Sequence, residues 1–300
     1  MSKIKAIWDI MRLEHGFMLF IAILVGSIIS QKILYNNILE IPLKSFILTF
    51  FTAMFLESST FALNDYFDFE IDKKNKRTDR PLVRGDIKPK TALSIFFVFF
   101  PIGIICSYFV NIVCFFIALI TAFFAVLYDS HMKKIKLVGN FYIAYIMAIP
   151  FVFGAAAVLP NNILSFNIDP SIFIIAFIAF LAGSGREIMK DVQDFEGDKE
   201  KGVRSFPKYI GKRKSNIIAG IFYIIAILIS LFPFFFNRYE IYFLNMAYFL
   251  PVLICDTMLL GTSLQLFVKK EPNLKIYRKF TLIAIFIGLL AFLMGALFRL

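Results

Sequence analysis

Apolar residues run in stretches of about 20 along nearly the whole chain, separated by short polar clusters. A helix rises about 1.5 Å per residue, so a stretch of that length matches the roughly 30 Å hydrocarbon core of a bilayer. Nine stretches qualify, at residues 12–31, 44–63, 89–109, 111–129, 138–159, 170–189, 214–236, 239–268 and 276–298. The pattern predicts an all-α fold: a polytopic membrane protein, a bundle of nine transmembrane helices, with residues 1–300 forming one transmembrane domain. Pro101, Pro150, Pro233 and Pro251 fall inside these stretches and predict kinks, because proline removes a backbone donor.

Composition sharpens that reading. With 59% hydrophobic residues and a positive mean hydropathy, the chain lacks the polar surface a soluble globule needs. Charge then orients it. If the N-terminus is inside, all of the 32 Lys and Arg except Lys32, Lys44, Arg238 and Arg299 fall on that same side. Such an excess marks the cytoplasmic face, so the expectation is a multi-pass protein of the cell membrane with its N-terminus and active-site loops cytoplasmic. The net charge of +11 suits lipid headgroups and phosphates and gives no reason to invoke nucleic acid, nor does the sequence imply an obligatory protein partner. Cys106, Cys114 and Cys255 lie in predicted spans without a metal or disulfide pattern and read as packing residues. The first stretch has no small-residue cleavage site after it and reads as a retained helix.

Candidate chemistry sits where two stretches end. Asn64-Asp65-x-x-Asp68-x-x-x-Asp72 returns as Asp191-x-x-Asp194-x-x-x-Asp198, with the same internal offsets and four predicted spans between. An even number of spans puts both sets on one side of the membrane, where they can meet. Basic residues follow each set: Lys73, Lys74, Lys76, Arg77 and Arg80-Pro81 after the first, Lys199, Lys201, Arg204 and Ser205-Phe206-Pro207 after the second. A weak internal repeat accounts for this, with the two long connections, about 64–90 and 186–214, built around the acids. Carboxylates three and four residues apart share a helical face, and a cluster of hard oxygen donors is what Mg²⁺ prefers. The metal candidates are Asn64, Asp65, Asp68, Asp72, Asp191, Asp194 and Asp198, and Asp68, Asp72, Asp194 and Asp198 are the acids expected to act most directly in catalysis. Arg77, Arg80, Lys133, Lys134, Lys190 and Arg204 are the cations available to grip phosphate oxygens, although each alone is also an ordinary loop residue of the basic face. Glu57 and Asp256, inside predicted spans, are candidates only for supporting roles.

These motifs resemble those of the UbiA superfamily of intramembrane prenyltransferases. The stretch from Asn64 through Asp72, with Asn75-Lys76-Arg77-Thr78-Asp79-Arg80-Pro81-Leu82 after it, is similar to that family's first signature, and Arg186 through Asp198 to its second. Tyr128-Asp129-Ser130-His131-Met132-Lys133-Lys134 resembles the family's Tyr-and-Lys segment after the fourth helix, with Asp129 where many members carry a small hydroxyl residue. The resemblance covers most of the chain. It implies an all-α bundle whose cavity opens sideways to lipid, Mg²⁺ as cofactor, and transfer of an isoprenoid from its prenyl diphosphate to an acceptor. Tyr128, at the end of the fourth span beside the cations, is the aromatic expected to face an allylic cation.

The acceptor follows from a finer likeness. The run Asn-Asp-Tyr-Phe-Asp-x-Glu-Ile-Asp at 64–72 and Arg-Glu-Ile-x-Lys-Asp at 186–191 look most like an archaeal branch that prenylates the free hydroxyl of the lipid phosphate geranylgeranylglyceryl phosphate. Arg12, at the predicted start of the first span, is a candidate for the acceptor's phosphate and equally a membrane-face anchor. An aromatic acceptor such as 4-hydroxybenzoate is the alternative within the family. A transporter of a divalent cation or phosphorylated solute is the alternative outside it, but carboxylates and cations gathered on one face favour chemistry at the interface.

Overall fold

The computed structural model describes residues 3–12, 16–35, 43–74, 76–160, 168–200 and 202–299. These residues form α1 (Lys3–Met11), α2 (Gly16–Tyr35), α3 (Leu43–Lys74), α4 (Pro81–Arg84), α5 (Pro89–Val110), α6 (Ile112–Ser130), α7 (Lys136–Ala156), α8 (Pro170–Glu200), α9 (Phe206–Ser230), α10 (Phe232–Phe235), α11 (Met246–Val268) and α12 (Leu274–Leu297). Among the described residues nine helices are long and apolar enough to cross a membrane, in the order the hydrophobic pattern predicts. The same residues hold no strand beyond an isolated parallel bridge between Ile135 and Arg204.

Proline opens α4, α5 and α8 and stands second in α9, where its missing N–H costs nothing and its fixed φ suits a first turn. Asn111 caps α6 by accepting from the Cys114 N–H at 2.8 Å, and Asn245 caps α11 by accepting from Ala247 at 3.0 Å. That cap sets the start of α11 at Met246, later than the apolar stretch from 239 predicts.

The chain divides into two compact units. The first comprises Met1–Phe20, Ile41–His131 and Ala156–Phe166. Here α3 lies along α5, α6 packs on both, and α1 and α4 cover the polar end of α3. Ala6 and Ile10 of α1 are buried with Ala62, Leu82, Ile87 and Ala92, which fixes the short N-terminal helix against the longer one. The second unit comprises Ile21–Glu40, Met132–Ala155 and Asn167–Leu300. Its α8 packs on α9 and α12, while α11 packs on α9 and α12. Ile188, Met189, Tyr223, Leu259 and Leu266 form its buried centre. Within it α2 and α7 approach backbone to backbone: a Cβ at Gly26 would overlap the Phe151 carbonyl oxygen, and one at Gly154 would overlap that of Ile23. Ser27 uses the same approach to donate to the Gly154 carbonyl at 2.9 Å.

Two features depart from the sequence reading. The connections about 64–90 and 186–214 are shorter than the hydrophobic pattern suggests, because α3 and α8 run on for 32 and 31 residues and carry both acid sets on continuous helix, in keeping with their helical spacing. The surplus beyond a membrane crossing is the polar end that carries the acids. Arg12 does not open the first span: it terminates the separate helix α1 in a left-handed conformation, φ 48°.

Candidate active site

The last turns of α3 carry the first acid set, and cations from two other segments, the end of α1 and the turn after α3, meet it. Asp65 is buried, and the Arg12 and Arg80 guanidiniums both donate to its Oδ1, at 2.7 and 2.8 Å. Its Oδ2 is buried with no hydrogen-bond partner. Arg80 also stands 3.7 Å from Asp72, whose other oxygen lies 3.8 Å from Arg77. One residue before Asp65 on the same helix, the Asn64 amide donates to Asp129 Oδ1 of α6 at 2.7 Å. Asp68 is half-buried on the same helix, and Tyr128 is half-buried one residue before Asp129. Arg77 spends its two best bonds on exposed Asp79, at 2.6 and 3.2 Å. That hydrogen bond holds the Asp79 carboxyl below its ordinary range and raises Arg77 above its own.

The last turns of α8 carry the second set, and its principal cation comes from outside the predicted residues. Lys136, at the start of α7, bridges Asp198 at 2.6 Å and Asp191 at 3.3 Å. Asn140, one turn on, donates to the other oxygen of Asp191 at 2.7 Å. Asp194 is half-buried on the same helix, and Lys190 pairs with Glu187 at 3.2 Å. Arg204 is exposed, and its backbone carbonyl accepts from Leu137. Lys133 is half-buried in the turn before α7, and the side chain of Lys134 lies outside the described ones. Lys136 and Asn140 share a helical face four residues apart, but in the sequence Lys136 reads as one more cation of the basic connection before the stretch 138–159 and Asn140 as a polar residue near the start of that stretch.

Both acid helices end in the same backbone device. After α3 the Lys76 N–H bonds the Lys73 carbonyl at 3.1 Å and the Arg77 N–H bonds that of Asp72 at 3.0 Å. After α8 the Gly202 N–H bonds Lys199 at 3.1 Å and the Val203 N–H bonds Asp198 at 3.0 Å. These are paired Schellman caps, and the residue at the left-handed position is Lys76 (φ 51°) in one and Gly202 (φ 72°) in the other. The last acid of each set occupies the same place in its cap, so the repeat read from side-chain spacing extends to the main chain.

Among the described residues no three His, Cys, Asp or Glu side chains converge as a ready metal-ligand group. Asp65, Asp72, Asp191 and Asp198 are instead met by guanidinium, ammonium and amide groups. Their chemistry nevertheless fits Mg²⁺: every candidate donor is a carboxylate or amide oxygen, and the buried Asp65 Oδ2 is left with a lone pair no protein donor uses.

The sequence profile of the UbiA prenyltransferase family matches residues 19–287. The digeranylgeranylglyceryl phosphate synthase of Archaeoglobus fulgidus is 42% identical over 294 residues, 98% of this chain and 96% of that protein. That of Methanocaldococcus jannaschii is 35% identical over 300 residues, 99% of this chain and 98% of that one. A solved structure concerned with digeranylgeranylglyceryl phosphate synthase in membranes superposes with a TM-score of 0.79 at 32% identity, covering 99% of both chains. A UbiA homolog from Archaeoglobus fulgidus bound to DMAPP and Mg²⁺ shares the fold at a TM-score of 0.63 and 16% identity, over 97% of this chain and 99% of that one. With nine helices among the described residues long and apolar enough to cross a membrane, two acid sets on matched helix ends and a profile match along most of its length, this chain belongs to the UbiA prenyltransferase family.

Proposed function

We propose that this protein transfers a geranylgeranyl group from geranylgeranyl diphosphate to the free hydroxyl of geranylgeranylglyceryl phosphate, forming the second ether bond of an archaeal membrane lipid. Similarity over almost the whole chain to proteins named for that synthase, at up to 42% identity, is the observation that carries the reading. The bond between the allylic carbon and the diphosphate oxygen breaks, and its electron pair leaves with the diphosphate. The acceptor oxygen then attacks the electron-poor carbon, and its proton passes to the released diphosphate or to water as the ether forms.

In this reading Asn64, Asp65, Asp68, Asp72, Asp191, Asp194 and Asp198 are the residues that would hold Mg²⁺. When bound, Mg²⁺ supplies positive charge that offsets the charge growing on the leaving diphosphate. Arg77, Arg80, Lys133, Lys134, Lys190 and Arg204 grip phosphate oxygens, with guanidinium forks suited to two-point contacts. Arg12 serves the acceptor's phosphate. Its link to Asp65 supports this, because the bond holds a guanidinium next to the acid set without burying it completely. Tyr128 offers its ring to the allylic cation. Both units act as one transmembrane domain among membrane lipids, with the N-terminus and acid helix ends on the cytoplasmic side, as the distribution of Lys and Arg supports.

The test is product analysis in liposomes with radiolabelled geranylgeranyl diphosphate and Mg²⁺, offering geranylgeranylglyceryl phosphate and 4-hydroxybenzoate together. Label in the glycerol lipid is expected. Label in the aromatic acid would replace the acceptor, and retention of all label in diphosphate or free alcohol would remove the assignment.

A further inference from the structure

Lys136 lies outside both acid motifs, yet it makes the closest ionic contacts of the second set. Its backbone neighbours on both flanks are tied to Arg204. The turn before α7 pairs with the strand-like segment after α8, through the Ile135–Arg204 bridge and the Leu137 N–H to Arg204 carbonyl bond at 3.3 Å. The start of α7 is thereby held beside the acid end of α8. From there one ammonium spans Asp191 and Asp198, whose Cα atoms lie about 10 Å apart along a helix that rises about 1.5 Å per residue. Asn140 occupies the remaining oxygen of Asp191. Two acids two turns apart are thus drawn toward one positive charge by a side chain whose anchor belongs to the fold and not to the motif.

Resting on the metal-dependent reading above, we propose that Lys136 is a positioning residue that stands in for the divalent cation: it holds Asp191 and Asp198 together in the metal-free protein, and the arriving cation displaces it from them. Physical chemistry gives the reason for such a device. Asp191 is almost fully buried, and a buried carboxylate left without a counter-charge is costly, so the site cannot wait for its metal empty of positive charge. An ammonium is the suitable stand-in. It is a point charge on a flexible four-carbon stem, which releases more readily than a guanidinium fork bound at two points. Once displaced, the Lys136 ammonium is free to meet phosphate oxygens.

The test uses the full-length protein in detergent with Mn²⁺ as probe and no prenyl substrate. Metal affinity, read from the free Mn²⁺ signal by electron paramagnetic resonance, is compared between wild type, Lys136→Met and Lys136→Arg. Removing the competitor is expected to tighten Mn²⁺ binding at least tenfold in Lys136→Met, with Lys136→Arg close to wild type. Thermal stability in EDTA is expected to fall in Lys136→Met and to return when Mn²⁺ is added. Should that variant not fold, amine labelling of the wild type followed by mass spectrometry reads the same event: Lys136 is expected to label at least threefold faster when Mn²⁺ is present. Unchanged or weaker Mn²⁺ binding in Lys136→Met, or a labelling rate indifferent to Mn²⁺, overturns the proposal while leaving the prenyl-transfer reading standing. Absence of Mn²⁺ binding in wild type and variant alike overturns the metal reading as well.

Discussion

Asn64 and Asp129 show how a single residue changes meaning once its neighbour is known. Read along the chain, Asp129 is an acid where many relatives of the motif carry a hydroxyl; in the structure it accepts the Asn64 amide at 2.7 Å and so fixes the first member of the acid set. Asp129→Ala strands that amide in a half-buried place, which costs about 1–3 kcal/mol, read as a lower midpoint of thermal unfolding in detergent. Transfer should fall with it, and an unchanged midpoint and rate would show that the contact does nothing. Arg80 has a double task. It shares Asp65 Oδ1 with Arg12 and stands within 4 Å of both Asp72 and Asp79. Arg80→Ala is expected to raise the KM for the prenyl diphosphate about tenfold or more while kcat changes less, measured in steady-state assays; an unchanged KM would take Arg80 out of diphosphate binding. The acids stand out in the sequence because their spacing repeats, and Arg80 because it follows the first of them. Lys136 and Asn140 did not, since a third cation in a basic connection and an amide near the start of an apolar stretch look like interface residues until the fold brings α8 beside them.

At the scale of elements, hydrophobic runs locate helices well and locate their polar ends poorly. The stretch ending near 63 continues as α3 to Lys74, and the one ending near 189 continues as α8 to Glu200, because amphipathic tails packed on α1, α4 and α7 stay helical without being apolar. The Schellman caps that stop both helices have no hydropathy signal, and only one of them has glycine at the left-handed position. Lys76 therefore sits in a conformation that costs a side-chain-bearing residue about 1 kcal/mol or more. Lys76→Gly is expected to raise stability by up to ~1 kcal/mol, and Gly202→Ala to lower it by ~1 kcal/mol, in thermal unfolding of the purified protein. Opposite signs are the point, and equal losses from both would contradict the shared cap. A second prediction concerns α2 and α7. Gly154→Leu puts side-chain atoms where the Ile23 backbone already lies, so it should destabilise by ~2 kcal/mol or more, beyond what a lipid-facing substitution such as Phe97→Leu costs. Equal unfolding midpoints for the two variants would place the α2–α7 approach elsewhere.

For the whole molecule, the account holds that two acid sets on two repeated helix ends, one in each compact unit, are both needed for one reaction. Composition and run length made the all-α, nine-span architecture readable, since a bilayer allows few alternatives. The partners of each acid were unreadable, because they come from helices distant in sequence. The decisive measurement is geranylgeranyl transfer by purified Asp68→Ala and Asp198→Ala, with circular dichroism and thermal unfolding run beside it to establish that each variant is folded. The account predicts that either substitution alone abolishes turnover in a folded protein, at any Mg²⁺ concentration. Near-normal transfer by both variants would contradict it, and loss in only one would leave a single acid set responsible for the chemistry.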